Sequence, residues 1–196
     1  MAARGRSRRC SARAGRPART FGGRALREWP WLQSADVSDL VEQMYDETWP
    51  SARSRSDVTP LVRELGDSLV GQVRAAERRA ETAGPQTLIH GDASAQNLRT
   101  SGEGEVAFLD WEDLRGGPGV CDLAWLLVSS VQPSEWERTL LAYARPVQLN
   151  RALPAAAVQG VLSVAHEEEG SPNSREWMRG LEEAGRRIHR RYVSPL

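Results

Sequence analysis

No lysine occurs among the 196 residues: all 26 basic side chains are arginine. Every strong cationic contact the chain makes is therefore a planar, forked guanidinium, never the compact ammonium that acts as a point charge at phosphate groups. Cysteine is nearly as scarce. Cys10 and Cys121 are the two cysteines and lie far apart in the chain, which argues against a disulfide scaffold and for reduced thiols in a cytoplasmic setting. Long apolar runs are also missing. No stretch approaches the roughly 18 apolar residues of a membrane helix, and the N-terminus lacks the apolar core of a secretory signal. His166 and His189 sit in predicted helices without metal-ligand spacing and receive no function.

What is present is unevenly distributed. Net charge is zero, yet residues 1–30 hold nine arginines against Glu28 alone, a balance of +8, and the remaining 166 residues carry −8. The first 27 residues combine dense like charge with few apolar side chains, so they cannot bury enough surface to offset the entropy of ordering. They are expected to be disordered. Such an Arg-rich arm also suits nucleic-acid contact or a transit-like leader, but composition alone supports either, and no nucleic-acid partner is expected. With 40% hydrophobic residues the chain can bury one sizeable core. The expected organisation is a basic tail over 1–30 and one domain over 31–196.

From Ser34 the pattern is helical. Val37, Leu40, Val41, Met44 and Tyr45 follow the 3.6-residue period behind a Ser34 cap with Asp36 in the first turn, and Pro50 is expected to close the helix. Thr59 and Pro60 suit the cap and first position of a second helix, whose Leu61, Leu65, Leu69, Val73, Ala76 and Ala80 share one face as far as about Ala83. After the central stretch, Cys121–Val131 reads as a buried helix. Ser134 and Glu137 form a capping-box pattern before a helix with Trp136, Leu140 and Tyr143 on its apolar side. Another helix is expected from near Pro154, ending by Gly170, and a last one from about Ser174 places Trp177, Leu181, Ala184, Ile188 and Tyr192 on one stripe. The seven tryptophans are read mainly as core and helix-face residues.

Between residues 87 and 109 the period changes. Thr87–His90, Asn97–Thr100 and Glu105–Leu109 are short β-prone runs, with Ser-Gly-Glu-Gly at 101–104 as the turn between the last two. That hairpin would carry Asp110 back toward Asp92. Asp92, Asn97 and Asp110 are all hard oxygen donors. Mg²⁺ takes one or two carboxylates plus phosphate oxygens, so an Asn and an Asp beside a further free carboxylate suit phosphoryl transfer, with Asp92 accepting the proton of an attacking hydroxyl. Singly, Asp92 and Asn97 are equally good turn formers and Asp110 a cap; the ordered set is what turn chemistry does not require.

His90-Gly91-Asp92, four residues, Asn97, then Phe108-Leu109-Asp110-Trp111-Glu112-Asp113 and Gly117-Pro118 before Asp122-Leu123-Ala124 resembles the aminoglycoside phosphotransferase and choline kinase family, whose fold is similar to that of protein kinases. The resemblance implies Asp92 as catalytic base, Asn97 and Asp110 as magnesium ligands, and ATP with Mg²⁺ as cofactors. It implies that His90 and Asp122 support the catalytic loop through buried hydrogen bonds. Glu112 and Asp113 are candidates to face a cationic or hydroxylated small-molecule substrate.

A complete member of that family also has an N-terminal lobe, a twisted sheet whose lysine holds the nucleotide phosphates. This chain has no lysine, its Gly22-Gly23 lies in the Arg-rich tail without strand pattern, and residues 31–86 read as two helices. The expectation is an α+β, mainly α-helical chain: a kinase-like C-terminal lobe whose short β-hairpin carries the catalytic loop, with the N-terminal lobe missing. The expected function is ATP- and magnesium-dependent transfer to a small-molecule hydroxyl, the chain being truncated and inactive alone. The alternative is a non-enzymatic, pseudokinase-like remnant or binding module.

Overall fold

The computed structural model describes residue 32 and residues 38–143 and 148–193, with side chains for Leu32, 39–143 and 148–189. The basic tail, Cys10, the Ser34 cap with Asp36 and Val37, and the Tyr192 side chain lie outside the described residues. The chain is mostly helical, with two small antiparallel sheets of two strands each.

Helix α1 (Ser38–Ser54) runs through Pro50 instead of stopping there. Tertiary contacts outweigh the lost backbone donor. The Trp49 indole donates to Asp67 Oδ1 at 3.0 Å, Arg53 makes a forked contact with both Asp67 oxygens, and Ala52 is buried. The expected single helix from Pro60 is two, α2 (Pro60–Leu69) and α3 (Val73–Glu81). Gly71 between them sits at φ +65°, the left-handed conformation that commonly ends helices. Thr59 caps α2, accepting from Val62 N–H. The apolar stripe survives the break: Leu65, Leu69, Val73, Ala76 and Ala80 are all buried. Gly66 is required by close packing, because an added Cβ would lie 2.2 Å from the Trp49 ring.

Strand β1 (Gln86–Ile89) pairs with β4 (Arg115–Pro118), and β2 (Leu98–Thr100) with β3 (Val106–Phe108). Strand β4 was not expected, because Arg-Gly-Gly-Pro has no β-branched residue. Its glycine is needed: the Ile89 side chain fills the space of a Gly117 Cβ.

Helix α4 (Gly119–Ser130) follows directly, then α5 (Trp136–Ala142), α6 (Leu149–His166) and α7 (Pro172–Val193). The Ser134/Glu137 capping box does not form. A 3-10 turn over Pro133–Glu135 leads into α5 with no side-chain cap, anchored by the fully buried Trp136, whose indole donates to Val131 O at 3.0 Å. Helix α6 starts at Leu149, before Pro154, because Leu149, Ala152 and Leu153 are buried in its first turns. It is the central helix, packed on α1, α3, α4 and α7. Ser171 caps α7 by accepting from Ser174 N–H, with Pro172 as the first helical residue. No described helix is long and apolar enough to cross a membrane.

Two loops far apart in sequence are joined by Arg55 and Asp57. Arg55 Nε and Nη2 donate to Asp57 at 2.9 and 2.8 Å, and Arg55 Nη1 donates to Val164 O and Glu167 O. Gly170 N–H and Ser174 Oγ–H donate to Asp57 Oδ2 at 2.9 and 2.8 Å. The Arg55 guanidinium, helped by those two donors, holds the Asp57 carboxyl well below the usual carboxylate range despite its burial. A folded-state pKa depressed in this way adds stability above the ordinary carboxylate pKa near 4 and loses it as pH falls through and below that value. The urea midpoint is thus expected to drop between about pH 5 and 3. Asp57→Asn should lower stability by about 1–3 kcal/mol at neutral pH, leaving Arg55 short of its partner, and flatten that acid limb; unfolding curves at several pH values check both.

Candidate active site

The site is built where β1 runs out. Ile89 is buried, and the next three residues, His90-Gly91-Asp92, turn under the hairpin. Gly91 adopts φ +89°, and a Cβ there would lie 2.5 Å from Asp113 O, so glycine is demanded by both conformation and space. Asp122, in the first turn of α4, holds this bend. Its Oδ2 accepts from His90 N–H at 2.8 Å and its Oδ1 from Gly91 N–H at 3.0 Å. Burial pushes the Asp122 carboxyl up from its ordinary value, and the two amide donors oppose that rise. A helix N-terminus also favours a carboxylate.

The His90 ring bridges the bend to the strand leading to Asp110. Its Nε2–H donates to Leu109 O at 2.8 Å, and its Nδ1 accepts from Asp92 N–H at 3.3 Å. Trp111 and Phe108 flank the ring at centroid distances of 4.6 and 5.4 Å.

Asp92 is half-buried, and both of its carboxylate oxygens are bonded. Asn97 Nδ2–H donates to Oδ2 at 2.8 Å and to the Asp92 carbonyl at 3.1 Å, and the Trp125 indole N–H donates to Oδ1 at 2.5 Å. Asn97 ends a 3-10 turn (Ala95–Asn97) tied to the end of α4 by Ala95 N–H to Ser130 Oγ at 2.8 Å. Its carbonyl accepts from Leu109 N–H at 2.8 Å, extending the β2–β3 ladder by one pair. Leu109 is thereby held at both its N–H and its carbonyl, by Asn97 and His90. Asp110 follows at φ +62°, the one non-glycine residue with positive φ among those described, and is exposed. Its carboxylate accepts no hydrogen bond from the described residues.

The structure thus joins Asp92 to Asn97 directly, and brings Asp110 beside Asn97 through the backbone. Glu112 is exposed beyond Asp110. Asp113 backs onto Gly91 and lines a cavity of about 680 Å³. The cavity runs along β1 and β4 between α3 and α6, with Gly91, Asp113 and Asp122 on one wall and Ala152, Ala156 and Trp177 on others. Carboxylates predominate among its charged groups: Glu77, Glu81 and Glu167 join the two aspartates, against Arg78 and Arg115. Cys121, a free thiol in the same wall, has its pKa pushed up to about 11 by burial.

The donor set fits a hard divalent cation. Asn97 spends its amide nitrogen on Asp92, which leaves the amide oxygen available, and Asp110 adds an unshared carboxylate. No cluster of three or more His, Cys, Asp or Glu that could hold a metal occurs among the described residues; an amide and a carboxylate suit Mg²⁺, which keeps waters and takes phosphate oxygens for the rest. Sequence reasoning missed Trp125. The signal was available: Trp125 lies three residues after Asp122 and so shares its helix face.

The model of the phosphotransferase enzyme family matches residues 6–158. No curated protein matches the chain. Among solved structures, a spectinomycin phosphotransferase in complex with ADP and spectinomycin matches with a TM-score of 0.48 and 12% identity, over 81% of this chain. The chain spans 58% of that protein's length.

Proposed function

Because the chain belongs to the phosphotransferase enzyme family, we propose that it transfers the γ-phosphoryl group of ATP to a hydroxyl of a small molecule seated beside Gly91 and Asp113. The observation that carries this reading is the arrangement around Asn97. One residue bonds the Asp92 carboxylate with its side chain and, with its backbone, Leu109, the residue before Asp110.

In this reading Asp92 is the base. Each carboxylate oxygen keeps a lone pair after bonding Asn97 or Trp125, so it can take the hydroxyl proton as the substrate oxygen bonds to phosphorus and the bond to the β-phosphate oxygen breaks. Asn97 and Asp110 would hold Mg²⁺, which when bound offsets charge on the phosphate oxygens. Asp122 and His90 fix the bend that presents Asp92. Asp113 lines a mostly acidic cavity that would suit cationic groups of the substrate while its hydroxyl reaches Asp92, which, like Asn97, Asp110 and Glu112, is outside the cavity lining.

The domain assignment follows: residues 31–196 form the catalytic-loop lobe of a kinase-like phosphotransferase, and residues 1–30 a basic tail. A second reading, binding without transfer, is favoured by the absence of lysine, since an arginine fork must then serve the phosphates.

The test is ³¹P NMR of the purified chain with Mg-ATP and a panel of hydroxylated amines. A new phosphomonoester resonance supports transfer; nucleotide binding without one supports the second reading and sinks the first. Magnesium dependence gives a further expectation. Asp110→Ala should remove Mg²⁺-dependent strengthening of ATP binding in calorimetry, and a variant that binds Mg-ATP as well as the parent would show that Asp110 is not a metal ligand.

A further inference from the structure

Trp125 belongs to no motif that pointed to this site, yet its indole makes the shortest hydrogen bond to Asp92. The ring is 4% exposed and sits one helical turn beyond Asp122 on α4. Two successive turns of one helix therefore grip the same bend. Asp122 takes its backbone N–H groups, and Trp125 takes its side chain. An indole N–H is a donor only and needs an acceptor when buried. The buried Trp136 meets that need with a backbone carbonyl, and the buried Trp49 with the Asp67 carboxylate that Arg53 also holds. Trp125 meets it with a carboxylate whose other oxygen is already held by Asn97. The back of the Trp125 ring faces Trp177, at 6.4 Å between centroids, and Trp177 lines the cavity.

We propose that Trp125 is a positioning residue for Asp92: its N–H and the Asn97 amide clamp the two carboxylate oxygens from different elements, so the acid holds one orientation toward the substrate hydroxyl. The proposal rests on the reading of Asp92 as base, but the clamp itself is testable without turnover. A tryptophan whose indole only needs an acceptor would lose stability but not kcat when its N–H is removed. A positioning tryptophan must respond to the chemistry of the side chain at position 92, and Asn97 must respond to the tryptophan.

Indole and carboxamide resonances of the ¹⁵N-labelled full chain separate these cases. The seven tryptophans give seven indole signals, with Trp125 assigned by its disappearance in Trp125→Phe. Its proton is expected furthest downfield, as a short bond to a carboxylate demands, and Asp92→Asn should move it upfield more than any other. Trp125→Phe keeps an aromatic ring but removes the donor, and should displace the Asn97 carboxamide signals. In the ³¹P transfer assay the same variant should lose about 10–100-fold in kcat with KM unchanged, the mark of a misplaced group. An indole signal indifferent to Asp92→Asn overturns the clamp, and so do Asn97 signals unmoved by Trp125→Phe. Asp92→Asn leaves position 125 intact, so the first arm stands even where Trp125→Phe does not fold. A chain that shows both shifts but transfers no phosphate refutes the phosphotransfer reading and leaves the clamp standing.

Discussion

Asp92→Asn is expected to reduce phosphoryl transfer by about 10²–10⁴-fold, the usual contribution of a general base, while the chain remains folded. The substitution keeps the size and planarity of the side chain and removes its capacity to take a proton. It also creates a mismatch. Trp125 and Asn97 each present an N–H to position 92, and an asparagine offers one oxygen where the carboxylate offers two. One donor must then face an NH₂ group, at a cost of about 1–3 kcal/mol in stability. Measuring kcat together with the urea midpoint separates the chemical loss from the structural one. A variant within a few-fold of the parent in kcat would falsify the assignment of Asp92 as base.

The largest expected loss of stability comes from a methyl group added where α7 meets α4. A Cβ at Gly180, on α7, would lie 1.9 Å from Val128 O and 2.7 Å from Val128 C, which belong to the backbone of α4. Overpacking normally costs about 1–3 kcal/mol because neighbouring side chains can yield. Here the obstacle is the peptide backbone of a largely buried helix, so Gly180→Ala should reach or exceed the upper end of that range. Gly102→Ala is the control, because a methyl group there would meet nothing within 4 Å and the turn is exposed. Similar urea midpoints for the two variants would mean that α4 and α7 do not approach as closely as described. Val128 is one turn beyond Trp125, so a shift of α4 should also disturb the indole bond to Asp92.

Much of the hairpin around the candidate site could be read in the sequence because its strands are ordered and its turn is explicit. Ser-Gly-Glu-Gly folds β2 onto β3, and the register carries Leu109 to Asn97, so that Asp110 is the next residue after that pair. Trp125 was hidden by its company, since within an apolar helix an indole reads as core until its N–H partner is known. The helices were legible by period but not by extent. The stripe from Leu65 to Ala80 runs through Gly71 without a missed beat, so burial continues where the helix does not. Pro50 and Pro154 show the converse: local chemistry signals a stop at the first and a start at the second, and buried contacts on either side override both. Strand β4 left no apolar pattern at all, because Gly117 packs against Ile89 where a side chain would otherwise sit.

The Arg55–Asp57 clamp bears on the order in which the molecule assembles. Its partners Val164, Glu167, Gly170 and Ser174 lie more than a hundred residues later in the chain. During synthesis both charged side chains stay solvated until the turn after α6 has emerged from the ribosome. Helices α1 to α3 are therefore expected to lack these contacts until that turn is made. Closing so long a loop carries an entropic cost that the finished core repays, and the α6–α7 turn ties α1 and α2 to the later helices.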